Sequence, residues 1–163
     1  MRKRERGFSL IELLIVVAII VIITAVAIPS LRTSRMQAQE AAAQKALSTL
    51  NTALVQYYSD YQGYPPALSD LGPPANGVRS KTGADLLNST MAPPGGGPAV
   101  KDGYTFRYVP GQPDENGNIP TYSITADPTS QNQTGTRRYF TDNSGTVRYT
   151  MDGSPATAIS PPM

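Results

Sequence analysis

The stretch that decides the fold is Gly7-Phe8-Ser9-Leu10-Ile11-Glu12, followed by the sixteen residues 13–28. Those sixteen are all Leu, Ile, Val or Ala, with Thr24 as the one exception. Residues 8–28 would form a helix of about 31 Å, close to the hydrocarbon thickness of a bilayer. The sequence therefore predicts a membrane-spanning helix that carries one carboxylate, Glu12.

Charge orients this helix. The leader, residues 1–7, holds four basic side chains and one acidic side chain. The remaining 156 residues hold ten basic and eleven acidic side chains. Basic flanks stay in the cytoplasm, so we expect a single pass with the N-terminus cytoplasmic and the body outside the inner membrane. The body is near neutral, which gives no indication of nucleic-acid binding.

Composition also narrows the chemistry. The chain has no Cys and no His, so it forms no disulfide and lacks the commonest general base and the commonest nitrogen ligand for metals. No nucleophile–base pair, phosphate-binding Gly loop or dense carboxylate pair is present. We predict a protein that is not an enzyme and needs no cofactor.

Glycine and proline divide the chain. Residues 8–62 contain no Gly and only Pro29, whereas residues 63–163 contain thirteen Gly and fourteen Pro. The first part permits one long helix and the second does not. We expect a transmembrane half at 8–30, an amphipathic half at 31–62 and a loop-rich globular domain at 63–163. Proline lacks the N–H that a helix needs, so we expect a kink at Pro29.

The second half of the helix has apolar positions three and four residues apart, which is typical of a helix with one buried face. Strand-like runs occur within 104–149, with a turn at Asp142-Asn-Ser-Gly145. The fold class is therefore α+β: the second half of a long helix packs on an antiparallel sheet of three or four strands. The composition of residues 152–163 predicts a mobile tail. The first half of the helix has no partner within the chain, which indicates lipid or copies of itself.

Four oxygen-bearing side chains are weak candidates for calcium ligands, because calcium prefers hard oxygen donors. They are Asp127, Asp142, Asn143 and Asp152. Their spacing is unlike an EF-hand, and turns favour the same residue types. We therefore favour turn formation and predict no metal site.

Glu12 has two interpretations from position alone. A carboxylate inside a membrane span is costly and usually has a partner, but one near the interface can simply reach the headgroups. A cleaved secretory signal is disfavoured, because the residues after the apolar run offer no suitable small-residue cleavage site.

The segment Gly7-Phe8-Ser9-Leu10-Ile11-Glu12-Leu13-Leu14 resembles the cleavage and methylation motif of type IV prepilins and type II secretion pseudopilins. The short basic leader, Gly before the cut, Phe after it, Glu five residues into the mature chain and Pro29 all match. The resemblance covers about the first 30 residues in detail. The absence of Cys departs from many type IV pilins, whose C-terminal loop is closed by a disulfide.

The resemblance implies that a prepilin peptidase cuts between Gly7 and Phe8 and that Phe8 is then N-methylated. It further implies a structural subunit that, with an inner-membrane assembly platform, moves from membrane lipid into a periplasmic or extracellular filament. Because a buried ammonium and a buried carboxylate are each costly, we expect the Phe8 amine to pair with Glu12, either within one helix or between neighbouring copies. The alternatives are a type II secretion pseudopilin and a membrane-anchored binding domain that never polymerises.

Overall fold

The computed structural model describes residues 8–163, which form two compact units that divide between Arg35 and Met36. One α-helix, α1, runs from Leu10 to Tyr61. A single-turn 3-10 helix follows at Leu68–Leu71. Five strands complete the fold: β1 (Ala99–Lys101), β2 (Tyr104–Pro110), β3 (Tyr122–Pro128), β4 (Arg138–Asp142) and β5 (Arg148–Thr150). The predicted α+β class is confirmed.

The sheet is antiparallel, with its strands in the order β1-β2-β3-β4-β5. It has five strands, so the prediction of three or four was wrong. The missed strand is β1, in which Lys101 lies opposite Tyr104. The two-residue loop between them is Asp102-Gly103, and both residues have positive φ, 49° and 77°. Asp-Gly is a strong hairpin signal, but three residues are too few to show an alternating pattern.

The second unit, from Met36 onward, has its core between α1 and one face of the sheet. Alternate residues of the strands point inward, which the pleat requires. The buried residues of α1 are Glu40, Ala43, Ala46, Leu47, Leu50, Asn51, Ala53, Leu54 and Tyr57. The buried apolar residues of the sheet are Ala99, Tyr104, Phe106, Tyr122, Ile124, Ala126 and Tyr139. The spacing of three and four residues thus does mark the buried face of the helix.

Residues 152–163 lie beside β5. The Met163 N–H donates to the Val147 carbonyl at 3.0 Å, and the Tyr149 N–H donates to the Pro161 carbonyl at 3.1 Å. Ala156 and Ser160 are buried. The mobility predicted from the composition of this tail stays a prediction, which hydrogen exchange of these amides would test.

Candidate assembly site at the N-terminal segment

The first unit consists, in its described part, of α1 up to Arg35 and the two residues before it. Every residue from Phe8 to Arg35 is exposed. The exposed fraction is 83% for Phe8 and about half for Val17, at 52%. The segment is long and apolar enough to cross a membrane, a test that signal sequences near an N-terminus also pass. Its function therefore has to be argued from its polar groups.

Glu12 has a hydrogen-bond partner within its own chain. The backbone N–H of Ser9 donates to Glu12 Oε2 at 2.9 Å. The Ser9 carbonyl accepts from the Leu13 N–H at 3.2 Å, so Ser9 stands at the N-cap of α1 and Glu12 at its third position. This is one half of a capping box, and a carboxylate there also interacts favourably with the helix dipole.

The Ser9–Glu12 contact lowers the cost of holding a carboxylate at the end of an apolar helix. It does not neutralise the charge, and Glu12 forms no ion pair within residues 8–163. The carboxylate therefore has a neutral donor in the single chain and remains available to a cation.

Phe8 and Gly7 flank the expected cut. Phe8 precedes α1 and is the most exposed large apolar residue of the segment. Gly7 lies outside the described residues, so cleavage between the two stays a prediction from the motif. After such a cut, the new amino group of Phe8 would stand one residue before Ser9, the donor to Glu12.

Thr24 is the polar exception in the apolar run, and its hydroxyl forms hydrogen bonds within its own helix. Thr24 Oγ1 lies 2.9 Å from the Ile20 carbonyl and 3.0 Å from the Val21 carbonyl, and it donates to this preceding turn. Such bonding removes the cost of a free hydroxyl in lipid. Glu12 is therefore the one group between Phe8 and Leu31 that carries a side-chain charge.

Pro29 lies inside α1, and the helix is continuous through it. Just after Pro29, two side-chain hydroxyls donate hydrogen bonds to backbone carbonyls of the preceding turn. Thr33 Oγ1 donates to the Pro29 carbonyl at 3.2 Å, and Ser34 Oγ donates to the Ser30 carbonyl at 3.1 Å. Both proline and such hydroxyls bend helices. The kink at Pro29 stays a prediction.

Comparison with known proteins bears on the same segment. The family model for the prokaryotic N-terminal methylation motif matches residues 2–28. The chain therefore carries the prokaryotic N-terminal methylation motif. The type IV major pilin protein PilA of Myxococcus xanthus (strain DK1622) is 39% identical over 69 residues. That match covers 42% of this chain and 31% of the relative, so the chain spans about a third of the relative's length.

The matched motif contains Phe8 and Glu12, whereas the calcium candidates lie in the second unit. Asp127 faces two guanidinium groups, with Arg107 at 3.5 Å and Arg138 at 3.7 Å. Such pairing occupies the oxygens that a cation would need. Within residues 8–163, no group of three or more acidic side chains could hold a metal ion.

The other calcium candidates lie in turns. Asp142 Oδ1 accepts from the Ser144 N–H at 2.9 Å, in the turn that also contains Asn143. Asp152 Oδ1 accepts from the Ser154 N–H at 3.0 Å, and its hydrogen bonds with Ser154 lower the pKa of the Asp152 carboxyl. The candidates thus serve separate local interactions.

Two buried polar residues of α1, Glu40 and Asn51, hold the second unit together. Glu40 Oε1 accepts from the backbone N–H groups of Thr136 and Arg137, at 2.8 and 3.2 Å. Asn51 donates to Thr141 Oγ1 at 2.9 Å and accepts from the Tyr122 hydroxyl at 3.0 Å.

The burial of Asn51 could have been predicted from its position in the helix. It lies four residues after Leu47 and three before Leu54, both fully buried, so the helical spacing alone places it on the buried face. Its polar side chain alone would favour the opposite, solvent-facing side of the helix, but Asn51 is buried. Buried amides occur where every polar atom has a partner, and here the sheet supplies them.

Proposed function

We propose that the chain is a structural subunit that polymerises into a type IV pilus-like filament after its leader is removed. One observation carries the proposal: every residue from Phe8 to Arg35 is exposed, including the sixteen residues 13–28, which are all Leu, Ile, Val or Ala except Thr24. A soluble single chain rarely leaves such a large apolar surface uncovered. Lipid covers it before assembly, and the helices of neighbouring copies cover it afterwards.

The energy available for assembly is large. Full burial of one Leu, Ile or Val side chain is worth about 1.5–3 kcal/mol relative to water, so a helix with more than ten of them cannot stay in water. Lipid satisfies these side chains about as well as another helix does, so apolar contact alone gives little preference for the filament. A polar interaction must supply the specificity.

Glu12 supplies that interaction in the proposal. In lipid its carboxylate has the Ser9 N–H as a neutral donor. In the filament the Phe8 amine of a neighbouring copy would pair with it, and a pair of opposite charges compensates much of the desolvation cost of each. Any other axial register would leave both charges unpaired, so the pair selects one register among many apolar ones.

The partners follow from the same segment. They are copies of the chain, a prepilin peptidase that cuts between Gly7 and Phe8, and an inner-membrane platform that assembles the filament. The orientation has the leader in the cytoplasm and the second unit outside. The role is structural, in keeping with the major pilin to which the chain is similar. That relative favours a pilus over a type II secretion pseudopilus.

The proposal is tested by intact-mass analysis and N-terminal sequencing of the protein purified from sheared filaments. We expect a chain that begins at Phe8 and carries one added methyl group. A Gly7→Val variant, in which the cut is blocked, should stay in the membrane fraction and begin at Met1. Wild-type protein that still begins at Met1, or an absence of filaments, would support the membrane-anchored binding domain instead.

A further inference from the structure

A pocket of about 150 Å³ lies in the second unit, where α1 ends. Three tyrosines, Tyr57, Tyr61 and Tyr64, form its aromatic lining, and Asp70 provides a carboxylate. The rings of Tyr57 and Tyr61 lie one helical turn apart, with centroids 4.6 Å from each other and planes tilted by 50°. Tyr57 belongs to the buried core, and Tyr61 and Tyr64 pack against it.

The backbone holds the lining in place. The Tyr64 N–H donates to the Ile119 carbonyl at 2.8 Å, which fixes the chain just after α1. The Tyr57 hydroxyl donates to the Lys81 carbonyl at 2.8 Å, so the opposite wall is attached to the helix as well. Burial, Asp70 and Tyr61 raise the pKa of Tyr57 to about 12, so this phenol stays neutral.

Asp70 is half-buried, and its carboxylate forms no ion pair with a Lys or Arg side chain within residues 8–163. Its Oδ2 accepts from the Ala67 N–H at 3.2 Å. Burial raises the pKa of the Asp70 carboxyl, and the hydrogen bond from the Ala67 N–H offsets only part of this rise. Lys81 also lines the pocket, but its ammonium group is not paired with Asp70.

The volume limits what can enter. The pocket, at about 150 Å³, is well below the about 300 Å³ or more that drug-sized ligands need. Tilted aromatic rings beside a carboxylate favour a compact organic cation over a neutral molecule of the same size.

We propose that this pocket binds a small alkylammonium group, with the Asp70 carboxylate as counter-ion and the rings of Tyr57 and Tyr61 as the surfaces that contact it. All residues of the site lie in the second unit. The ammonium group displaces water from the aromatic faces and provides the positive charge that Asp70 lacks.

The test is a titration of the full chain, in a neutral maltoside detergent, with tetramethylammonium chloride at constant ionic strength. Tyrosine ring resonances report occupancy. tert-Butanol is the matched neutral probe, since it has the same number of heavy atoms and no charge. We expect saturable shifts with tetramethylammonium and much weaker ones with tert-butanol.

Asp70→Asn keeps an oxygen for the Ala67 N–H and should weaken tetramethylammonium binding at least about tenfold, whereas Asp60→Asn, the same charge change outside the pocket, should leave it unchanged. Tyr61→Leu keeps apolar volume and should weaken binding as well. No saturable shift, equal binding of the two probes, or binding unaffected by Asp70→Asn would overturn the proposal.

Discussion

The two units of this chain share one helix and use it in opposite ways. From Phe8 to Arg35 no residue is buried, whereas in the second unit Leu47, Leu50 and Leu54 are fully buried. The first part is apolar all round and β-branched. The second part is apolar on one face only. The difference shows that an apolar sequence is not by itself a core: the periodic part finds its partner within the chain, and the uniform part requires one from outside.

The largest effect should come from the charge in the unpartnered part. We expect Glu12→Ala to abolish filaments, because the Phe8 amine of a neighbouring copy then has no counter-charge and the axial register is lost. Electron microscopy of the cell surface and quantification of sheared protein measure this. Thr24→Val is the matched control, since that hydroxyl is already bonded within its helix, and it should assemble normally. Normal filaments from Glu12→Ala would exclude Glu12 as the residue that sets register.

The second prediction concerns the stability of the two units at high pH, which should differ. Burial raises the pKa of Tyr57 from 10.0 to about 12 and also raises the pKa values of Tyr104, Tyr108, Tyr122 and Tyr139. The folded state then keeps protons that the unfolded state loses, so the stability they contribute is fully present below about pH 10 and is lost as the pH rises towards 12. Near-ultraviolet circular dichroism should show the second unit losing its tertiary structure in this window.

The first unit has no tyrosine or lysine between Phe8 and Arg35, so its helix in detergent should persist over the same pH range. Far-ultraviolet circular dichroism should therefore retain a helical signal after the near-ultraviolet signal has gone. Simultaneous loss of both signals would show that the two parts of the helix are not independent, and an unchanged near-ultraviolet signal at pH 12 would contradict the effect of tyrosine burial.

The third effect compares one substitution in both units. Leu47→Ala should lower the free energy of unfolding of the second unit by about 2–5 kcal/mol, because it removes fully buried methyl groups and leaves a cavity. Leu14→Ala, at a position that is 62% exposed, should leave that stability unchanged. Urea titration of both variants in the same detergent provides the comparison, and equal destabilisation would contradict the division into units.

The fourth effect, similar in size to the third, concerns the buried amide. Asn51→Ala leaves the Tyr122 hydroxyl and Thr141 Oγ1 without the partner they have now, at a cost of about 1–3 kcal/mol for each buried group left unsatisfied. Thr52→Ala, its exposed neighbour, should change the free energy of unfolding by less than about 0.5 kcal/mol. A double-mutant cycle with Thr141→Val should yield a measurable coupling, and additive effects would show that the hydrogen bond contributes nothing.

The sequence predicted the features that depend on repeated local patterns. The uniformly apolar run predicted the exposed part of α1. The spacing of three and four residues predicted the buried face of its second half, and the strand-like runs within 104–149 predicted β2 and β3. Strand β1 was missed because three residues carry no period. The pocket at the end of α1 could not be predicted from the sequence, because only the tertiary fold brings Tyr57, Asp70 and Lys81 together.

The candidate assembly site was predicted by motif, and its local geometry was not. Ser9-Leu-Ile-Glu12 has the spacing of a capping box, from which the Ser9–Glu12 hydrogen bond could have been predicted. Glu12 thus has a local role at the helix end besides the role proposed for it in assembly. Both roles are compatible, because the cap uses a neutral N–H and leaves the charge for a cation.

The central claim is that copies of this chain cover the apolar part of α1. Since the chain has no native cysteine, a single Val17→Cys substitution provides a unique probe, and Glu115→Cys, in an exposed turn, provides its control. The measurement is maleimide labelling of lipid-free sheared filaments and of the same protein dissociated in detergent. We predict that Glu115→Cys is labelled in both states and that Val17→Cys is labelled only after dissociation. Labelling of Val17→Cys in intact filaments would contradict the account.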